Sequence, residues 1–231
     1  EAPHEVAESL AQVRKLVGDK PFGVDIMLPK GMPSKSLDEL QADLPNDHVA
    51  FVDNLKRKYE VPPAENQGFF NSQVRSPEFF QGQLDAVLES DVNMLAFGVG
   101  FTPDAVKRAN AKNMITAALI GHPKHVQAAV DAGVEVIVAQ GGEAGGHTGE
   151  ISTLTLVPQS AEMSGGRPVL AAGGIGHGSQ IAASLAMGAE GVWPGTKWLT
   201  TTEHQLEQGK VDKLLASGSG DTVVTRASSG K

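Results

Sequence analysis

The chain has 231 residues, 40% hydrophobic and 20% charged, the balance of one mid-sized globular domain or two small ones. Nineteen basic residues against 27 acidic ones give a net charge of −8, which argues against a broad nucleic-acid or anionic-membrane surface but leaves room for a pocket holding one phosphate. With no cysteine there is no disulfide scaffold, thiolate metal site or cysteine nucleophile, and no apolar run approaches the roughly 20 residues of a membrane span.

Glu1-Ala2-Pro3-His4-Glu5 is acidic and polar, unlike a signal peptide, so a cytoplasmic setting is expected. Val6, Leu10, Val13 and Val17 recur at helical spacing, and Gly18 stops that helix. Short, almost continuously apolar runs follow at 22–28, 93–99, 114–120, 134–139, 168–172 and 191–193. Strands of a parallel sheet have this character. Helical stretches lie between the later ones: Pro103 to Lys112 after the N-cap Thr102, Pro123 to Ala132 ended by Gly133, and Ser179 to Met187 closed by Gly188. Residues 29–76 interrupt this alternation with Pro29, Pro33, Pro45, Pro62 and Pro63, and enclose a helix expected over Asp47 to Glu60. This stretch reads as an insertion, either a surface excursion or a lid over a site. Residues 200–231 read as a C-terminal extension of a single domain, with a helix over Glu203 to Ala216 and a short strand over Asp221 to Arg226.

Glycine is abundant, 27 of 231 residues or about 12% against a usual ~7%. It concentrates in loops that follow three of the strands. The first is Gln140-Gly141-Gly142-Glu143-Ala144-Gly145-Gly146-His147-Thr148-Gly149, which lets backbone approach something flat or charged and ends in one imidazole. The second, Gly173-Gly174-Ile175-Gly176-His177-Gly178, opens a helix whose amides suit a phosphate. The third, Trp193-Pro194-Gly195-Thr196, offers amides and a hydroxyl to the same anion. Two glycine turns after consecutive strands match the phosphate site after strands 7 and 8 of a (β/α)8 TIM barrel. A doubly wound dinucleotide fold fits less well, because the spacing is not GxGxxG and no acid ends the next strand. On this count the run at 22–28 is strand 3, strands 1 and 2 are missing from this chain, and a natural protein longer at both ends is expected.

The ordered set Ala139 to His147, Pro168 to Ile175 and Gly195-Thr196-Lys197-Trp198-Leu199, with Phe22-Gly23-Val24-Asp25 and Phe97-Gly98-Val99-Gly100, resembles the nitronate monooxygenase family. The resemblance covers residues 5 to 203 apart from the insertion. It implies a TIM barrel holding FMN non-covalently. Carried over by position, Gln140, Gly145 and Gly146 would line the flavin, and Gly173, Gly174, Trp193, Pro194, Gly195 and Thr196 would hold its phosphate. Asp25 would also contact the flavin, in the place of a family asparagine, and a carboxylate there disfavours an anionic reduced ring unless it is protonated. His147 would be the catalytic base, or the group that orients an alkyl nitronate as O2 oxidises it to a carbonyl compound and nitrite. A small-molecule substrate, O2 and a homo-oligomer are the expected partners, and no metal is expected.

Other readings stay open at this point. NADH-dependent enoyl-acyl-carrier-protein reductases and NADH:quinone reductases share the glycine–histidine signature. An inactive flavin-binding remnant is the reading outside the enzyme class. Glu143 serves either as a second catalytic group or as an acid bound to loop amides. His177 reads as a solvated loop residue, His122 and His125 as surface histidines, Lys197 as a strand-end cap, Trp193 as a packing residue and the six methionines as core filler.

Overall fold

A computed structural model describes residues 2–32, 34–63 and 75–226. Pro33, residues 64–74 of the expected insertion and the last five residues of the expected extension lie outside the described residues. The chain opens with α1 (Pro3–Val17), β1 (Gly23–Met27), α2 (Leu37–Ala42), α3 (Asn46–Lys58) and α4 (Pro77–Leu88). Alternation then follows: β2 (Met94–Val99), α5 (Pro103–Ala111), β3 (Ile115–Ile120), α6 (Lys124–Ala132), β4 (Val136–Gln140), α7 (Thr153–Met163), β5 (Val169–Ala172), α8 (Gly178–Ala186) and β6 (Gly191–Trp193). A 3-10 turn at Thr196–Trp198, α9 (Gln208–Ala216) and a second 3-10 turn at Ser219–Asp221 complete it.

Each strand pairs in parallel with the next, in the order β1 to β6. The two faces of this sheet differ. Ile26, Leu95, Phe97, Ala118, Ile120, Ile137, Ala139, Val169 and Ala171 join Leu10, Leu84, Val106, Val126 and Leu156 of the helices in the main core. The other face carries a second, smaller cluster made only of strand residues: Ala96, Ala117, Val138 and Ala172, with Met94, Leu119, Val136, Leu170 and Trp193 against them. A doubly wound sheet is covered by helices on both faces, whereas a barrel strand has helices outside and other strands inside. One-sided cover therefore identifies six consecutive strands of a (β/α)8 barrel, as the glycine turns predict.

The elements start and stop where their sequences dictate. Thr102 caps α5 by accepting a hydrogen bond from the Ala105 amide at 3.1 Å, and Pro103 fills the first turn. Gly133 ends α6 at φ +84°, a left-handed C-cap. Two arginines lock the N-terminal ends of the strands. Arg14 donates to the Asp91 carboxylate at 2.6 Å and to the Gly18 and Lys20 carbonyls at 2.8 and 3.0 Å, with its guanidinium over the Phe22 ring. Arg167 donates to the Val134 carbonyl at 2.7 Å and to that of Val130 at 3.2 Å.

Three helices escape the sequence reading. In α4, Ser76 caps the Phe79 amide, Pro77 follows, and Phe80, Leu84, Val87 and Leu88 are buried at helical spacing. In α7 an internal Pro158 disguises the pattern, and α2 has only six residues and buries none. The tail differs too: 203–207 is not helical, so α9 starts at Gln208, and 222–226 forms no strand. Val223 and Val224 lie exposed, without the neighbouring strand that their β-branched run would need for a ladder. The helix expected in the insertion is α3, and Val49, Phe51, Val52, Leu55 and Tyr59 all leave their apolar surface exposed.

Asp25 projects from β1 onto the bare face. A Cβ built on Gly98 of β2 would stand 2.7 Å from its Oδ2 and 2.8 Å from its Oδ1, so the carboxylate occupies the space that glycine leaves. β1 is an edge strand and much of the residue is open. Desolvation of the carboxyl group nevertheless pushes its pKa up to about 6, against a smaller lowering by a hydrogen bond from the Gly98 backbone. A carboxyl whose pKa is higher folded than unfolded takes up protons on folding between about pH 4 and 6, so its contribution to stability falls as pH rises through that window. Asp25→Asn should therefore gain on the wild type from about pH 4 to about pH 6 and hold a level advantage above it. Urea-unfolding midpoints of both proteins across pH 4 to 7 check this, and parallel curves would contradict it.

Candidate functional site

The C-terminal ends of the strands carry the glycine loops, and backbones touch there at distances no side chain allows. Gly121, just past β3, packs against Gly149 at the end of the long β4 loop: a Cβ on Gly149 would stand 2.4 Å from the Gly121 carbonyl oxygen. A Cβ on Gly141 would fall 2.1 Å from Thr153 Oγ1 and 2.3 Å from its amide nitrogen. Gly173 takes φ +107° and Gly174 φ +69°, values that L side chains rarely adopt. A Cβ on Gly173 would meet Thr153 Oγ1 at 2.8 Å and the Gly141 carbonyl at 3.0 Å.

Thr153 ties this region together. Its amide and hydroxyl both donate to Glu143 Oε2, at 2.8 and 2.9 Å, and the hydroxyl also lies 3.0 Å from the Gly173 carbonyl and 3.3 Å from that of Ala172. Partial burial alone would raise the pKa of Glu143. The Thr153 amide, the backbone at Glu143 itself and the Thr153 hydroxyl outweigh it and hold the carboxyl below its ordinary range. Of the two readings of Glu143, the geometry carries the second: a carboxylate bound to the first amide of α7, where the helix dipole also favours it. Sequence reasoning missed Thr153. Its signal is a Ser-Thr pair opening a helix directly after a glycine loop.

The β5 and β6 turns come together. Ala172 pairs with Trp193, and Lys197 Nζ donates to the Gly176 carbonyl at 2.9 Å, so the turn at 173–176 and the turn at 195–197 are joined side by side. Lys197 thus bridges two turns rather than capping one strand. Trp193 sits half-buried in the inner cluster, as a packing residue should. The long β4 loop reaches over this pair. A Cβ on Gly145 would stand 3.8 Å from Thr196 Oγ1, which brings the loop across β5 to the end of β6. His147 follows two residues later and is exposed. Gln140, last in β4, is half-buried and shares the inner face with Val136 and Val138.

The structure thus brings Gly145, Gly146, Gly173, Gly174, Trp193, Pro194, Gly195 and Thr196 to one stretch of the rim, with His147 on the same loop and Gln140 at its root. Asp25 shares the inner face but stands on β1, three strands from Gln140. His177 is more than a solvated loop residue. It caps α8, accepting from the Ser179 amide at 3.3 Å, and its Nδ1 lies 2.9 Å from Ser179 Oγ. His122 and His125 are exposed at the end of β3, and among the described residues no three metal-capable side chains cluster. His122 Nδ1 accepts from the Lys124 amide at 3.1 Å.

Known proteins share this organisation. The nitronate monooxygenase family profile matches residues 1–231. A Mycobacterium tuberculosis protein provisionally assigned as a monooxygenase is 41% identical over 239 residues, all of this chain and 64% of that protein. A Staphylococcus aureus protein provisionally assigned as a nitronate monooxygenase is 35% identical over 175 residues, 68% of this chain and 47% of that one. The solved nitroalkane oxidase of Streptomyces ansochromogenes superposes with a TM-score of 0.74 at 26% identity, over 92% of this chain and 60% of the other. FabK of Thermotoga maritima superposes with a TM-score of 0.73 at 25% identity, over 98% and 57%. The chain spans between about half and two thirds of the length of these proteins. With the family profile running the whole length of a barrel sheet that carries the glycine turns on its C-terminal rim, this chain belongs to the nitronate monooxygenase family.

Proposed function

We propose that this chain forms the FMN-binding and catalytic part of an enzyme that oxidises alkyl nitronates with O2 to a carbonyl compound and nitrite. The observation that carries the reading is the reach of the β4 loop: Gly145 comes beside Thr196, so the loop bearing His147 meets the β6 turn that Lys197 joins to the β5 turn.

The residues there fit a mononucleotide phosphate. Gly173 and Gly174 hold positive φ without strain, so the turn takes a path closed to most residues. Among the described residues the amides of Gly174, Ile175 and Gly195 donate to no protein acceptor. The nine-residue helix α8 begins just beyond and adds its N-terminal dipole. Gly174, Gly195 and Thr196 would hold the phosphate, and Gly145, Gly146 and Gln140 would flank the ring. When bound, the flavin accepts electrons from the substrate and passes them to oxygen.

The chain's own residues have three tasks. Glu143 and Thr153 fix the loop's path, so His147 is presented from a defined backbone. His147 takes the proton from the carbon beside a neutral nitro group, or donates a hydrogen bond to a nitronate oxygen when the substrate arrives already ionised. Asp25 stands on the inner face, and below about pH 6, as a neutral acid, it would donate a hydrogen bond to the ring without repelling negative charge there. The kinship with FabK supports a second reading, an NADH-dependent flavin reductase.

A visible spectrum of the purified protein, taken with and without a nitronate under air and paired with nitrite release, tests the proposal. Flavin bands that persist on turnover with nitrite formed support it; absence of flavin, or NADH consumption with a quinone in place of nitrite release, overturns it. His147→Asn should lower turnover of a neutral nitroalkane by about 10²–10⁴, the range of a general base, with flavin still bound. Steady-state rates with neutral and pre-ionised substrate compare the two roles, since only the neutral one needs the base.

A further inference from the structure

Two exposed side chains, Gln180 and Lys197, bind the backbone of the β5 turn from α8 and from the β6 turn. Gln180, in the first turn of α8, folds back over the loop that precedes it. Its Nε2 donates to the Gly174 carbonyl at 2.7 Å, and its Oε1 accepts from the amides of Gly176 and His177, both at 2.9 Å. Lys197 arrives from the β6 turn and donates to the Gly176 carbonyl at 2.9 Å. From the other side Thr153 shares its hydroxyl with the Gly173 carbonyl. The carbonyls of 173, 174 and 176 are thus all held by side chains from three separate elements, and the amides of 176 and 177 are held as well.

We infer that Gln180 and Lys197 are positioning residues that set the affinity of this turn for the phosphate of its ligand; the inference rests on the FMN reading above. The physical reason is peptide orientation. In a run of glycines each peptide plane can flip at little cost, and a flip replaces an amide donor with a carbonyl that repels an anion. Holding the carbonyls in place leaves the Gly174 and Ile175 amides as the groups facing an incoming anion, and it does so before the anion binds, which lowers the ordering cost of association. Lys197 adds a second effect. Its ammonium has three donors, one engaged with Gly176, so the link that joins the two turns also brings positive charge beside the seat.

Paired flavins test this without reference to turnover. FMN and riboflavin share the ring and differ by the phosphate, so the ratio of their dissociation constants, read by quenching of flavin fluorescence on the intact protein stripped of flavin, isolates the phosphate contribution. Gln180→Leu and Lys197→Met should each weaken FMN by about tenfold, the scale of one or two lost hydrogen bonds, and leave riboflavin unchanged. Lys197→Arg should keep most of the FMN preference, since it keeps charge and a donor. Lys197 is a surface residue, so its variants report even if Gln180→Leu fails to fold. A wild type that prefers FMN, with the preference intact in both loss variants, overturns the inference and leaves the proposed function standing. Equal loss of FMN and riboflavin in the variants overturns it also, by showing a general loosening of the fold. A wild type that binds riboflavin as tightly as FMN, or neither, overturns the phosphate seat and the inference with it.

Discussion

Thr153 holds the C-terminal rim together. It stands at the start of α7, buried, with its amide and hydroxyl on Glu143 and its hydroxyl within reach of the two carbonyls that end β5. Gly141 and Gly173 approach it so closely that neither position has room for a Cβ. The long β4 loop from its root at Gly141, the start of α7 and the turn after β5 are thereby brought into contact. A hydroxyl has one proton, so these contacts share it, and the ionised Glu143 gives both Thr153 donors an acceptor. Backbone crossings of this kind tolerate almost no change in size. They explain why a loop with so little side-chain mass can have a defined path.

The opposite ends of the strands are held by different means. Arg14 and Arg167 each span several backbone carbonyls, and Asn110 ties the Thr116 hydroxyl at 3.0 Å to the Gly133 carbonyl, also at 3.0 Å. Charged and amide side chains do there what glycine contacts do at the rim. The division has a chemical logic: a guanidinium saturated by carbonyls is a strong staple but offers nothing to a ligand, while a glycine turn leaves its amides free to donate. On the proposed reading, stability is set at one end of the sheet and binding at the other.

The strands were legible because a buried parallel strand is written as an apolar run, and the glycine turns because glycines cluster directly after strands, where Gly173 and Gly174 take positive φ that few other residues adopt. The two rival folds were separable on the placement of Gly173-Gly174 and Gly195-Thr196, and one-sided helix cover now supplies the physical reason. What escaped had weak local signals. α7 carries Pro158 in its middle, and α4 follows a stretch of prolines that looks like continuous loop. Asp221 to Arg226 read as a strand from its β-branched pair, but a strand needs a partner, and local composition does not reveal partners. Thr153, Gln180 and Lys197 were hidden for the same reason: each acts on a carbonyl 20, 6 or 21 positions away, a relation that only the folded chain defines.

The bare inner face carries small side chains at several positions, between larger ones such as Met94, Leu119 and Trp193. Ala96 and Gly98 on β2, Ala117 on β3, Val138 on β4 and Ala172 on β5 point where the middle of a barrel lies. Interiors of such barrels are usually filled by layers of bulky branched residues. Here Ala96 and Gly98 on β2, Ala117 on β3 and Ala172 on β5 hold methyl groups and a hydrogen atom instead, beside the larger Leu119 and Trp193, so the face keeps headroom at those positions. On the proposed flavin reading, residue size would supply breadth for the planar ring, without any hinge having to swing aside. Enlarging Ala117 or Ala172 would plug that headroom from below while leaving every hydrogen bond at the mouth in place.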